Sequence, residues 1–201
     1  MDSDKVILEI KTPRNTEETS EAMTQFLSSL VNLKRQIVYF YRRGIPISLE
    51  IATFEQRTHF FIVIPQKFQT FIEGQLTAQY PKALIAKNKD YLPDILSSPG
   101  ELYEGRLKLK HGALFPIKTY KDFKDVDPLS SILGILAKLD KDDKAVIQYL
   151  LVPIGTGWQT KGQTAILKST DPDRENPLNQ YKKIITDKIS QNGFRTGIRI
   201  L

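Results

Sequence analysis

The order in which apolar residues switch between a period of two and a period of three to four is the strongest constraint on this chain. Lys5–Lys11 (KVILEIK) alternates apolar and polar side chains, as a strand with one buried face does. Met23, Phe26, Leu27, Leu30 and Val31 then recur at spacings of three and four, which turns one stripe of a helix toward a core. Asn15, three residues ahead of Glu18, has the pattern of a capping box at the start of that helix. Residues 47–53 and 58–64 are β-branched and aromatic runs on either side of a polar turn at 54–57, the signature of an antiparallel hairpin. Phe68, Phe71, Ile72 and Leu76 mark a second helix, which Tyr80 and Pro81 end, and 83–87 form a short closing strand. The order β-α-β-β-α-β over residues 5–87 is the split βαβ, ferredoxin-like arrangement, with two helices on one face of a four-stranded antiparallel sheet.

Residues 34–44 (KRQIVYFYRRG) are read as an extension of the first helix to a Gly44 C-cap, with an irregular β segment as the alternative. Two prolines, Gly100 and several polar residues make 88–101 the best domain boundary. Beyond it, 106–110 and 113–119 read as paired strands about His111 and Gly112. Asp127 and Pro128 supply an N-cap and a first-turn proline for a helix faced by Leu129, Ile132, Leu133, Leu136 and Leu139. Residues 144–152 read as a buried strand, 155–174 as a polar loop, Tyr181 to Ile189 as a helix and 194–201 as a last strand. The expected fold class is therefore α+β: two ferredoxin-like-type two-layer subdomains, with antiparallel or mixed sheets and two helices each. Their bounds are 1–90 and 104–201, joined by a linker at 91–103.

Composition narrows the chemistry. There is no cysteine, which removes disulfides, iron–sulfur ligation, Cys-based zinc sites and thiol nucleophiles together. Hydrophobic residues at 40% and charged residues at 26% are ordinary for a globular chain, so it is expected to fold. The acidic N-terminus lacks a secretory pattern, and no apolar run approaches the roughly 20 residues that span a bilayer, so a cytoplasmic location is expected. The net charge of +6 is a mild excess, compatible with a phosphate-rich partner.

Motifs for catalysis do not assemble. The stretch from Gly155 to Gly162 (GTGWQTKG) follows a strand, but it has Thr160 where a P-loop needs glycine and Gly162 where it needs Ser or Thr. His59 and His111 have no His or Cys partner at ligand spacing, and read as surface or half-buried imidazoles. Ser28, Ser29, Ser130 and Ser131 lie in helical patterns and not in a nucleophile elbow. Glu50, amid an apolar strand, and Glu73, on the Phe68 helix, read as exposed or internally paired charges. No catalytic residue, cofactor or metal is expected, and the chain is read as a binding or assembly module and not an enzyme.

Two features remain as candidate contacts. Arg106, Lys108 and Lys110 alternate with Leu107 and Leu109, which would put three positive charges on one strand face and the leucines on the other. Such a face could hold nucleic-acid phosphates without reading sequence; the plainer alternative is a solvated edge that discourages aggregation. Trp158, the only tryptophan, is read as docked on its own domain, with a partner anchor as the alternative.

Several stretches together carry a resemblance: ISLEIATF at 47–54, HFFIVIPQKFQTFIEGQLTAQYPKALI at 59–85, FPIKTYKDF at 115–123, VDPLSSILGILAKL at 126–139, AVIQYLLVPIGTGW at 145–158 and the terminal NGFRTGIRIL. The chain resembles the N-terminal accessory region of bacterial type IV secretory, conjugative DNA-transfer ATPases, where such a region precedes a motor of the HerA-FtsK class. The resemblance implies a non-catalytic assembly or docking module. Its partners would be other motor subunits or secretion components, its alternative partner DNA, and its place the inner face of the membrane through the parent protein. The chain lacks an intact Walker A motif and stops inside a strand pattern at 198–201, so the motor's ATP-binding residues have no counterpart here.

Overall fold

The computed structural model describes residues 5–13, 20–42, 44–123, 127, 129–168 and 179–201. Strand β1 (Lys5–Lys11) is buried on both faces along Val6, Ile7, Leu8 and Glu9, which only an interior strand can be. It lies between β3 (Arg57–Pro65) and β4 (Leu84–Asn88), antiparallel to both, and β3 pairs in turn with β2 (Ile47–Phe54). The strand order β4-β1-β3-β2 is the split βαβ order expected from the periodicity. The β2–β3 hairpin turns on Glu55 and Gln56, both with positive φ (50° and 58°). That pair twists with the strands as a two-residue hairpin requires, although neither residue is the usual Asn or Gly.

Helices α1 (Ser20–Leu30) and α2 (Lys34–Arg42) are separated by one 3₁₀ turn (Val31–Leu33). The helical reading therefore holds for Lys34–Arg42, and Gly44 (φ 80°) donates to Tyr41 O just beyond it. The proposed cap at Asn15 lies outside the described residues. Phe26 and Leu30 of α1, Ile37 of α2, and Phe68, Ile72 and Leu76 at and within α3 (Gln69–Gln79) pack on Val6, Leu8, Ile47, Ile62 and Ile64 of one sheet face. That is the main core.

The second half joins this sheet edge to edge. Strand β6 (Ala145–Pro153) pairs with β2 over seven residues, from Ile47↔Leu151 to Thr53↔Ala145. Strand β7 (Phe194–Ile200) pairs with β6, and β5 (Gly105–Leu107) with β7. Among the described residues the result is one seven-stranded antiparallel sheet, β4-β1-β3-β2-β6-β7-β5. The α+β class and layered construction are as expected, but the halves share a sheet in place of two separate ones. ISLEIATF and AVIQYLLVP are apolar toward both faces, and as free edges they would expose unpaired backbone beside apolar side chains. Pairing them removes both edges. Helix α5 (Ser130–Leu136) covers the continuation of the same face, with Leu136 buried on Ile51 and Ile147. Asp127 lies just ahead of it, its carboxylate accepting from Leu129 N at 2.9 Å, but the residue at the N-cap is Leu129, with no side-chain cap; Pro128 lies outside the described residues.

Three expectations for the second half need correction. First, 106–110 and 113–119 are not paired strands. The β5 ladder stops at Leu107, and continuing its register would set Lys108 against Gly197, which has no side chain for cross-strand packing. The carbonyls of Ala113 and Phe115 go to the Lys188 ammonium, at 2.7 and 2.8 Å, in place of a strand partner. Second, the polar stretch after β6 is largely helix α6 (Gly157–Lys168). Its glycine, threonine and glutamine content hides it, yet Gly162 is where α6 touches α7 (Lys182–Ile189). A Cβ there would meet Ile189 Cγ2 at 2.7 Å and Leu114 Cδ2 at 3.3 Å. Close approach at Gly162 packs Ile166 against Ile185 and Ile189, a small separate core that outweighs weak helix propensity. Third, the boundary segment is not bare: it holds the short helix α4 (Leu92–Leu96), whose Ile95 is buried on the second sheet face. No helix among the described residues is long and apolar enough to cross a membrane.

Candidate interaction surface

The sheet face opposite α1, α2, α3 and α5 carries most of the buried polar groups. Alternation puts Ile7 and Glu9, Phe61, Glu50 and Ala52, and Val146 and Gln148 on this face, and Tyr91 and Ile95 lie over it. The ladders align one row of direct cross-strand neighbours: Glu9 on β1, Phe61 on β3, Glu50 on β2, Gln148 on β6, Arg199 on β7 and Arg106 on β5. Carboxylates occupy one end of the row and guanidiniums the other.

Glu50, 4% exposed, accepts from the Tyr91 hydroxyl and from Gln148 Nε2 at 2.7 Å. Gln148 Oε1 in turn accepts from Arg199 Nε at 2.7 Å and from Nη2. Burial, and then the charge of Glu50, push the Tyr91 phenol far above its ordinary value, so it stays a donor. Glu50 is thus the internally paired charge that its place in an apolar strand suggested. Tyr91 and Gln148 were not anticipated. The available signal was Gln148 interrupting an apolar strand just as Glu50 does, but their pairing is a matter of register.

At the acidic end, Glu9 accepts from Asn88 Nδ2 at 3.2 Å, contacts His59 Nδ1 at 2.8 Å and lies 3.4 Å from Lys11 Nζ. The His59 ring stacks on Phe54 (centroids 4.5 Å apart) and on Phe61 (5.7 Å), and Phe61 stacks on Tyr91 (4.5 Å). Burial alone would raise the Glu9 carboxyl, but the hydrogen bonds and charges of His59 and Lys11 outweigh it and hold it below its ordinary 4.5. A carboxylate depressed in the folded state stabilises above the unfolded value, and that contribution is lost as pH falls through the folded one. Acid unfolding followed from neutral pH to about pH 3 should therefore be less steep in Glu9→Gln than in the parent chain. Identical slopes would show that this cluster carries no pH-dependent stability.

The basic candidates are only partly assembled. Arg106 alone stands in the β5 ladder, directly across from Arg199, and Arg195 lies on the same face of β7. Lys108 and Lys110 follow the end of the strand and are exposed. Leu107 and Leu109 do not pack behind them: they are 59% and 57% exposed. Arg106 is bonded to Glu104 at 2.8 Å. Trp158, in the first turn of α6, is half-buried with Leu114 and Tyr181 on the α6–α7 core. It lies so close to Gly193 that a Cβ there would be 2.5 Å from its Nε1, so it is docked within its own chain.

The glycine-rich stretch at 155–162 opens directly into α6, contrary to expectation, and Lys34, Arg35, Thr156, Trp158 and Asn192 line a groove of about 420 Å³ beside it. The P-loop residues are still wrong around Lys161. Glu73 accepts from Gln69 at 2.9 Å within its helix, Ser29 and Ser130 donate to backbone carbonyls, and His111 rests against Phe115. Among the described residues no three His, Cys, Asp or Glu side chains are placed to hold a metal ion.

No curated protein and no solved structure matches this chain. The family model described as "Domain of unknown function (DUF8128)" matches residues 1–183, nearly the whole length, and the chain belongs to that family.

Proposed function

We propose that this chain is a non-catalytic assembly or docking module of a conjugative, type IV secretion-like DNA-transfer ATPase, working in the cytoplasm at the inner face of the membrane through its parent protein. The resemblance supplies the setting. The observation that carries the assembly role is the exposed arm at 101–110, which presents Leu102, Tyr103, Leu107 and Leu109 between 57% and 74% exposed beside a three-residue edge strand. Clustered apolar side chains on an extended arm favour a partner, because covering them recovers roughly 25 cal/mol for each Å² removed from water. The reading is tested by preparing the motor-bearing protein with and without residues 1–201. Native mass spectrometry should show fewer assembled subunits, or loss of a bound secretion component, when the module is removed. Unchanged assembly would end the proposal.

A second reading is sequence-tolerant contact with DNA. It is favoured by the cross-strand placement of Arg106 beside Arg199, with Arg195 on the same face and Lys108 and Lys110 alongside. Cross-strand like charges repel, so a polyanion laid over them would relieve a standing cost. Fluorescence anisotropy should then show duplex binding that weakens steeply with salt, and Arg106→Glu should lower the salt slope by about one. No binding at low salt would remove this reading.

A further inference from the structure

We propose that β5 pairs with β5 of a second copy of this chain, antiparallel about Gly105, so that the seven-stranded sheet continues across a two-fold axis. This rests on the assembly reading and names its partner and register. Among the described residues β5 is the last strand of the sheet, and its outer backbone groups have no strand beside them. The salt bridge between Glu104 and Arg106 shows these alternate residues on one face of the arm, with Tyr103 and Leu107 alternating to the other. A two-fold axis perpendicular to the sheet keeps each side chain on its own face and sets residue i against 210 − i. Gly105 then faces Gly105, Glu104 faces Arg106, and Tyr103 faces Leu107, each of the latter two pairs occurring twice.

The arm is therefore self-complementary on both faces. One face gains a square of two carboxylates and two guanidiniums from a pair that in the single chain sits 2.8 Å apart and is 41% and 70% exposed. The other gains two aromatic–aliphatic contacts from side chains now 74% and 59% exposed. Glycine at the axis leaves room for the strands to meet. The opposite edge has no such match: β4 is LIAKN, with a lysine and no carboxylate. An isologous β5 contact closes on itself, whereas a β5-to-β4 contact would propagate.

Sedimentation equilibrium of the 201-residue chain up to several hundred micromolar tests this. The expected mass rises with concentration from 23.0 kDa to twice that value and no further. Glu104→Arg and Arg106→Glu, each placing like charges in register, should each stay at the single-chain mass. Their equimolar mixture should dimerise, because an arm with guanidiniums at both positions then faces an arm with carboxylates at both. The double exchange in one chain should dimerise as the parent does. Both positions are exposed, and unchanged melting of each variant checks that the fold is intact. A parent chain that stays at 23.0 kDa, single variants that associate as well as the parent, a mixture that does not associate, or growth beyond a dimer would each overturn the proposal. If the isolated chain is monomeric while removal of the module still disrupts the motor assembly, this register fails and the docking reading stands. If the charge exchange behaves as expected but the motor assembles without the module, the reverse holds.

Discussion

Phe26→Ala should destabilise the whole described fold, including the second half of the chain, which meets the Phe26 core at Phe194. Phe26 is fully buried between α1 and the first four strands, and truncating such a phenylalanine costs about 3–5 kcal/mol from lost burial and residual cavity. For a chain of this size that lowers the melting temperature by on the order of 10 °C. The only tryptophan, Trp158, sits in the α6–α7 core, outside the Phe26 core although its groove is also lined by Lys34 and Arg35, so its emission reports chiefly on the packing of the second half. Because β2 and β6 share a seven-residue ladder and Leu136 is packed across it on Ile51 and Ile147, neither half can unfold without exposing an apolar strand of the other. Trp158 emission and far-UV circular dichroism should therefore shift together in one transition. A Trp158 transition that stays at the parent temperature while the dichroism moves would mean that the halves unfold independently.

Glu50→Ala should be the second most damaging change. It leaves the Tyr91 hydroxyl and the Gln148 amide without their acceptor in a buried place, and each orphaned donor costs about 1–3 kcal/mol. Denaturant unfolding should show a combined loss on the order of 2–4 kcal/mol, with Glu50→Gln losing distinctly less because its carbonyl still accepts. The parent's Tyr91 phenol, held high by burial and by Glu50, should ionise at lower pH in Glu50→Ala, as absorbance titration would record. Equal stability of Glu50→Ala and the parent would mean that the Glu50–Gln148–Arg199 row contributes nothing net to the fold.

The two halves differ in how far their patterns could be read. In the first, the helices and the strands β1, β2 and β3 bury a stripe or both faces, and the order of periods admits few topologies, so β4-β1-β3-β2 followed from residue spacing. In the second, the cues conflict with what packing demands. Helix α6 reads as a loop because Gly157, Gly162, Thr160 and Thr164 are weak helix formers, and what offsets them is contact between Gly162 and Ile189, far apart in the chain. The alternation of Arg106 to Lys110 has the strand period, yet only Gly105–Leu107 find a partner, since pairing depends on what β7 offers opposite. Glu50 was legible as an oddity within ISLEIATF, but not the identity of its partners.

Side-chain periodicity and turn chemistry determined where most strands and helices form, the absence of cysteine chemistry, and the ferredoxin-like order of the first half, because those follow from local geometry and solvent exclusion. The tertiary structure decided that β2 joins β6, that Glu9, Phe61, Glu50, Gln148, Arg199 and Arg106 share one row, and that Trp158 faces inward. The reason is that backbone hydrogen bonds between strands are the same for every residue type. Which strands meet, and in what register, is settled only when all the apolar faces are covered at once.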